Sequence, residues 1–404
     1  MGIVLAVFLA LSLISTAVYL ISGWITSPTA AFFESVSAFT TTGASIFDNT
    51  TFLPDWMKVF RSFCQWIGGG VTLVFLASIV SNTDAASGGL LRSDSASSAL
   101  YRTGIRFTSI AKRLLLTYLI MTVIQMIVLY ICGFTLLGSV CISLSTVSTG
   151  GFLPAGAIPS GMGETVTVLF MIFTCINYTL YYHAIKKHFD KFDSNSELTA
   201  LISIIVAASV LVCADLTLSG IYDLRGSIEY GIFHTVSCIT TTGFKLVDVS
   251  AWPSFAKAIL TSLSFIGGSS CSLGSGIKLM RVIVAMRIIS KSFTVRIHNR
   301  AVISTKINGR RLPSEASAAI GTFFLTYFAF FIIGAFVISF EASDVISCFT
   351  VSAALLNNVG LAIDSSINYT VLSPVMHILM SVLMLAGRLE LYTVLLPFSR
   401  SDKF

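Results

Sequence analysis

The chain has 404 residues, of which 55% are hydrophobic and 11% charged, and its 25 Lys and Arg against 19 Asp and Glu leave a formal net charge of +6. Soluble domains carry about 25% charged residues, so the composition excludes an ordinary soluble enzyme or binding domain. It assigns the chain to a lipid bilayer, with membrane lipid and no nucleic acid as its surroundings.

The first element, IVLAVFLALSLISTAVYLI at residues 3–21, is uncharged and reaches the length of about 20 residues that a membrane-spanning helix needs. No basic residue precedes it, and its apolar run exceeds the roughly 7–15 residues of a signal peptide, so it reads as a transmembrane helix over 3–24. A half-polar stretch containing SAFTTTGASI (37–46) follows, then a second long apolar helix over 56–80. The same order returns with outer helices at 113–137 and 163–187, at 198–220 and 253–290, and at 316–340 and 371–396. The segments between them are too short and too polar to cross a bilayer, which is the character of re-entrant loops, tolerated only where protein buries them or water lines them.

Aligned on a glycine, four blocks resemble one another: FFESVSAFTTTGAS around Gly43, VCISLSTVSTGGFL around Gly150, IFHTVSCITTTGFK around Gly243 and FTVSAALLNNVGLA around Gly360, at spacings of 107, 93 and 117 residues. The expectation is an all-α membrane protein of four tandem membrane-pore-membrane units, 1–85, 86–192, 193–312 and 313–404, with pseudo-fourfold symmetry around one pore. A dehydrated cation at membrane depth needs oxygen ligands, and rings of backbone carbonyls supply them. Glycine permits the backbone angles that aim successive carbonyls at one axis, and each short helix points its partially negative end toward its loop. The candidate filter residues are Thr41, Thr42, Gly43, Thr149, Gly150, Thr241, Thr242, Gly243, Asn358, Val359 and Gly360, with K+ held by backbone carbonyls. Thr40-Thr41-Thr42 and Thr240-Thr241-Thr242 match, whereas Val147-Ser148-Thr149 and Asn357-Asn358-Val359 diverge, so fewer regular ion sites are expected than in a fourfold symmetric channel. The competing reading of these loops is re-entrant turns that only stabilise a bundle, with glycine present for close packing.

Orientation follows from the basic residues. Of the 25, 18 fall on the side where units join, including eight between Arg281 and Arg311, which makes that side cytoplasmic and the loops external. The loop side carries Glu34, Asp48, Asp55, Glu164, Asp215, Asp223, Glu229, Asp248, Glu341, Asp344 and Asp364, an acidic excess expected to attract cations.

Two features at membrane depth stand out. A helix over 253–290 is too long for one straight span, and GGSSCSLGSG at 267–276 breaks it; the phosphate-cradling spacing G-x-x-x-x-G-K-[ST] is not met there. Arg388, in VLMLAGRLELYTVLL, is costly in a bilayer unless it faces water or a partner, and Glu390, two residues on, points to another helix face. Lys278 lies at similar depth, where it either snorkels or acts in gating. The eight cysteines are scattered, without a C-x-x-C pair or a nearby histidine, and read as packing residues. Asn177-Tyr178-Thr179 matches the glycosylation pattern but falls inside an apolar helix. An intramembrane enzyme lacks any Ser/His/Asp or paired-carboxylate arrangement, and a carrier built on inverted repeats would alternate the side from which its loops enter. The chain therefore reads as a transporter with no cofactor of its own.

TTTGAS, FCQWIGGGV, STGGF, TTTGF, FIGGSSCSLGSGIKLMR, NNVG and LMLAGRLELYTVLLPF, in this order, resemble the Trk/Ktr/HKT superfamily of potassium transporters, most of all the bacterial Trk and Ktr membrane subunits. The resemblance covers essentially the whole chain. It implies K+ uptake across the cytoplasmic (inner) membrane, a homodimer with one pore per protomer, and filter glycines at Gly43, Gly150, Gly243 and Gly360. A glycine at Gly43 goes with potassium preference in that family; sodium or poorly selective monovalent cation transport is the alternative. The resemblance assigns a gate to the 267–276 loop (Gly267, Gly268, Gly274, Gly276, with Lys278) and to Arg388 as a positive barrier beneath the filter. Ser269, Ser270 and Ser275 depart from the glycine or alanine favoured there. It also implies a separate cytosolic nucleotide-binding ring, with ATP/ADP or NAD bound only by that subunit, docking on the basic 281–311 segment; the polar connections at 81–112 and 291–315 are too short to contain such a domain.

Overall fold

Among the described residues, four helices of 12–16 residues that each run into a glycine loop are threaded between the other apolar helices, and their placement sets the architecture. The computed structural model describes residues 2–47, 49–81, 107–154, 161–185, 195–298, 306–307, 310–311, 314–342, 344–363, 367–389 and 391. In chain order the first set is α1 (Gly2–Ile21), the short α2 (Pro28–Phe39) and α3 (Asp55–Ser81). The second is α4 (Phe107–Ile131), the short α5 (Leu136–Val147), α6 (Met162–Cys175) and α7 (Tyr178–Ile185). The third is α8 (Ser196–Leu218), the short α9 (Leu224–Ile239), α10 (Ser254–Phe265) and α11 (Leu279–Ile297). The fourth is α12 (Ser314–Ile338), the short α13 (Val345–Leu356) and α14 (Pro374–Arg388). A two-residue antiparallel ladder, β1 (Lys306–Ile307) against β2 (Arg310–Arg311), is an addition to the all-helical expectation.

Among the described residues, five helices have the length and apolarity to cross a membrane: Gly2–Ile21, Asp55–Ser78, Thr108–Ile131, Ser196–Leu218 and Ser317–Ile338. Their outer faces present large apolar side chains, Ile21 at 86% and Leu218 at 87% exposure among them, which only lipid solvates without cost. The chain is a multi-pass membrane protein. The short helices start where local chemistry satisfies their first N–H groups: Pro28 opens α2, Thr135 accepts from Gly138 N, Asp223 from Gly226 N and Asp344 from Ser347 N.

Each short helix packs on the long helices of its own set, and also on one helix of the preceding set: α5 on α3, α9 on α6, α13 on α10 and α2 on α14. That last contact closes the chain's end onto its beginning. Glycine makes two of these approaches possible, since a methyl on Gly68 of α3 would overlap Phe39 O and one on Gly387 of α14 would overlap Leu356 O, each the last residue of a short helix.

Two predicted helices differ from expectation. The helix expected over 163–187 is interrupted at Ile176 and Asn177, where Ile176 is extended (φ −76°, ψ 149°). No glycine or proline marks this break. It exists because the freed backbone groups pair with the 266–278 segment: Ser269 N donates to Cys175 O (3.1 Å) and Tyr178 N to Cys271 O (3.3 Å), while Asn177 Oδ1 accepts from Thr179 N (2.9 Å). The fourth set's last helix, expected to reach residue 396, ends at Arg388; Glu390 and 392–404 lie outside the described residues, as do Asp48, Asp364 and most of the 81–112 connection.

Candidate functional site

All four short helices end in one backbone motif. The residue after the cap adopts left-handed φ: Thr41 (56°), Thr149 (56°), Thr241 (56°) and Asn358 (53°). The next N–H then reaches back five residues, Thr42 to Ser37 O (2.9 Å), Gly150 to Ser145 O (2.7 Å), Thr242 to Ser237 O (3.0 Å) and Val359 to Ala354 O (2.9 Å). This helix ending normally uses glycine. Placing threonine there three times costs about 1–3 kcal/mol each, strain of the kind retained at working sites. One residue further on, glycine takes positive φ at Gly43 (83°), Gly151 (84°), Gly243 (73°) and Gly360 (67°).

These angles correct the register read from the sequence. Gly151, not Gly150, is the backbone equivalent of Gly43, and Ser148-Thr149-Gly150 rather than Val147-Ser148-Thr149 matches Thr40-Thr41-Thr42. Two adjacent glycines in STGGF made the alignment ambiguous, and the helix C-cap resolves it.

The loops meet edge to edge. A methyl on Gly43 would lie 2.5 Å from Gly150 O, and one on Gly151 2.6 Å from Thr242 O. One on Gly243 would overlap Val359 O, and one on Gly360 would overlap Thr42 O. Each glycine thus abuts a carbonyl of the next loop, in the cyclic order first, second, third, fourth, first. Thr42 O, Thr242 O and Val359 O accept no hydrogen bond from the described residues.

Behind this ring the loops are tied down differently. In the first, Ser37 Oγ donates to Ala44 O (2.5 Å) and the Thr40 and Thr42 hydroxyls share a bond (2.7 Å); in the third, Ser237 Oγ donates to Phe244 O (2.9 Å) and Thr240 bonds Thr242 (2.9 Å). In the fourth, Asn358 Nδ2 donates to Thr42 Oγ1 (2.8 Å) and Met384 O (2.9 Å), and Asn357 accepts from Tyr327 OH. In the second, Gln65 of α3 does this work. Thr41 Oγ1, Thr149 Oγ1 and Asn358 Oδ1 are buried with no hydrogen-bond partner among the described residues; the corresponding Thr241 Oγ1 accepts from Ser275 N (2.9 Å).

That last bond joins the ring to the 266–278 segment between α10 and α11, which the structure brings together with the candidate gate residues. Gly267 packs against Ser275 O, Gly268 against Ser272 and Cys175, Gly274 against Gly268 N, and Gly276 has φ 73°. Lys278 Nζ donates to Ser272 O (2.9 Å) and Gly274 O (2.6 Å), so it folds onto the segment rather than snorkelling. Arg388, only 5% exposed, donates to Leu273 O (3.0 Å), Ser275 Oγ (2.6 Å) and Thr72 Oγ1 (3.0 Å), all neutral groups. Glu197, at the start of α8, accepts from Ser270 N (3.1 Å) and Oγ (2.7 Å). Sequence reasoning passed over Glu197, Thr72 and Gln65. The first had a usable signal, a carboxylate at the edge of an apolar span.

Many of the acids on the loop side are engaged. Glu34 is fully buried, paired with Arg61 (2.7 Å), and accepts from Ile46 N (2.9 Å), so it braces the first loop instead of charging the mouth. Arg61 in turn stacks on Phe152 (4.1 Å). His234, nine residues before Gly243 as Glu34 is before Gly43, accepts from Leu246 N (3.4 Å) in the same way. Asp215 accepts from Ala256 N (3.0 Å), Asp223 and Asp344 cap helices, and Asp248 pairs with Lys245 (3.0 Å).

The family model for TrkH, described as cation transport protein, matches residues 2–197 and 196–404. The Trk system potassium uptake protein TrkH of Vibrio parahaemolyticus is 30% identical over 394 residues, covering 92% of this chain and 78% of its own. TrkH of Halomonas elongata is 29% identical over 390 residues, 92% of this chain and 79% of its own. The crystal structure of the potassium transporter TrkH from Vibrio parahaemolyticus superposes with a TM-score of 0.88 at 28% identity, covering 99% of this chain and 84% of that one. The chain belongs to the TrkH family of cation transport proteins.

Proposed function

We propose that this chain is the ion-translocating membrane subunit of a K+ uptake system and that the ion passes through the ring formed by the four loops. The observation that carries this reading is the cyclic contact of Gly43, Gly151, Gly243 and Gly360 with the carbonyls of Gly150, Thr242, Val359 and Thr42. Four carbonyls around one axis replace hydration oxygens, four helix C-termini point their negative ends at the same place, and only glycine fits between neighbouring strands of the ring. The relatives named as potassium uptake proteins support the choice of cation. The four units, 1–85, 86–192, 193–312 and 313–404, are then pseudo-equivalent around the pore.

Below the ring, Arg388 places a positive charge among neutral partners, where a cation meets repulsion in a low dielectric. The 266–278 segment is the gate. To open, it releases Ser275 N from Thr241 and Ser275 Oγ from Arg388. The loops face outward from the inner membrane, the chain pairs as a homodimer, and a cytosolic nucleotide-binding ring acts through the basic 281–311 segment.

The test is 86Rb+ uptake into proteoliposomes with K+ or Na+ as competitor, for the wild type and Gly43→Ser. Block by K+ and not by Na+, weakened in the variant, is the expected result. Equal competition by both ions in the wild type overturns K+ selectivity in favour of a sodium or unselective path.

A further inference from the structure

The first and third loops brace themselves with a threonine pair, Thr40–Thr42 and Thr240–Thr242. The second loop has Ser148 and Gly150 at those positions and lacks the pair. Gln65, fully buried on α3, fills the gap: Nε2 donates to Gly150 O, while Oε1 accepts from Phe152 N (3.3 Å) and Ser145 Oγ (2.8 Å). The amide orientation is chemically determined, because Phe152 N–H is only a donor and Gly150 C=O only an acceptor. A methyl on Gly150 would run into Gln65 Cδ and Oε1, so this placement of the glutamine requires a glycine at 150.

Gly150 O occupies the ring position held by Thr42 O, Thr242 O and Val359 O in the other loops, and those three accept no hydrogen bond from the described residues. One ring oxygen in four is therefore shared with an amide N–H. We propose that Gln65, a residue of the first unit, is the positioning residue of the second loop and sets cation discrimination by fixing Gly150 O. The sharing withdraws electron density from one oxygen and holds it in place, so the ring's size and field are set partly from outside the four loops. This rests on the uptake reading above.

The experiment compares wild type, Gln65→Glu, Gln65→Met and Ser62→Ala. Ser62 accepts from Ser145 Oγ (3.3 Å) but makes no hydrogen bond to Gly150, and serves as a control for disturbance of α3. Two readouts are taken: the Na+/K+ ratio of half-inhibitory concentrations against 86Rb+ uptake, and the difference in thermal stability of the detergent-solubilised protein in K+ and in Na+. Gln65→Glu retains the volume and, as a carboxylate, the acceptor without the donor; Gln65→Met retains volume alone. The expectation is a fall in the Na+/K+ ratio of about fivefold in both, the size of one lost hydrogen bond, a smaller K+-specific stabilisation, and no change in Ser62→Ala. Folded variants that keep the wild-type ratio and stabilisation overturn the role of Gln65 alone. A wild type that does not discriminate in either readout overturns the uptake reading and this inference with it. Should neither Gln65 variant fold, Gly150→Ala, which displaces the amide from the other side, is expected to show the same loss, and an unchanged ratio there overturns the proposal.

Discussion

The first and second loops end their helices with nearly identical angles, φ 56° at Thr41 and Thr149 and 83° and 84° at Gly43 and Gly151, yet they are held by unrelated chemistry. The first is braced within its own set of helices, by Thr40, Thr42 and the buried Glu34–Arg61 pair; the second leans on Gln65 of α3, a helix of the preceding set. The comparison teaches that the ring's geometry is the common requirement and that each loop meets it with whatever side chains surround it. Removing the geometry should then cost more uptake than removing any one brace, whose loss is read in stability.

The largest effect on uptake is expected from Gly243→Ala, which drives a methyl into Val359 O at a positive φ. Uptake of 86Rb+ falls at least about tenfold, a barrier increase of only 1.4 kcal/mol. The register sharpens the comparison: Gly151→Ala meets backbone at Thr242 O at a positive φ, whereas Gly150→Ala meets only the Gln65 side chain at an ordinary φ, so Gly151→Ala loses more uptake. Equal losses would return the second loop to the alignment on Gly150.

Next comes the brace of the first loop. Glu34→Gln leaves Arg61 buried without its carboxylate, a change of about 3–5 kcal/mol read as a lower Tm, while His234→Ala at the matching place in the third loop loses one neutral bond, about 1 kcal/mol. Arg388→Ala removes the charge beneath the ring and raises uptake severalfold, roughly the tenfold carried by 1.4 kcal/mol, and Arg388→Lys keeps it low. The smallest effect belongs to Asp248, whose carboxyl is held down at about 2 chiefly by its hydrogen bond to Lys245. A lowered folded-state value means the pair's contribution is complete above the ordinary carboxylate range and is lost only as pH falls toward 2. Asp248→Asn therefore lowers Tm by a small amount, the exposed pair being worth at most about 1 kcal/mol, and by the same amount at pH 5 as at pH 8.

Much of this was legible in the sequence because glycine and threonine leave a pattern. The four loops, the break near 267–276 and Arg388 were each marked by residues that an apolar helix does not otherwise carry. The break at Ile176 and Asn177 was not, since it is imposed by pairing with Cys271 and Ser269 from another unit. Glu34 read as a mouth charge because a sequence shows its sidedness but not its partner. The Gly150/Gly151 register needed backbone angles, which two consecutive glycines hide. Gln65 stood inside the FCQWIGGGV motif without a sign of its role, since its meaning lies in a contact 85 residues away in the chain.

The central claim, that the four carbonyls form a cation site, is tested most directly by anomalous scattering from Tl+ in crystals of this chain. The account predicts a peak on the axis within ligand distance of Thr42 O, Gly150 O, Thr242 O and Val359 O, displaced by K+ and not by Na+. A ring without Tl+, with peaks only elsewhere in the molecule, would contradict it.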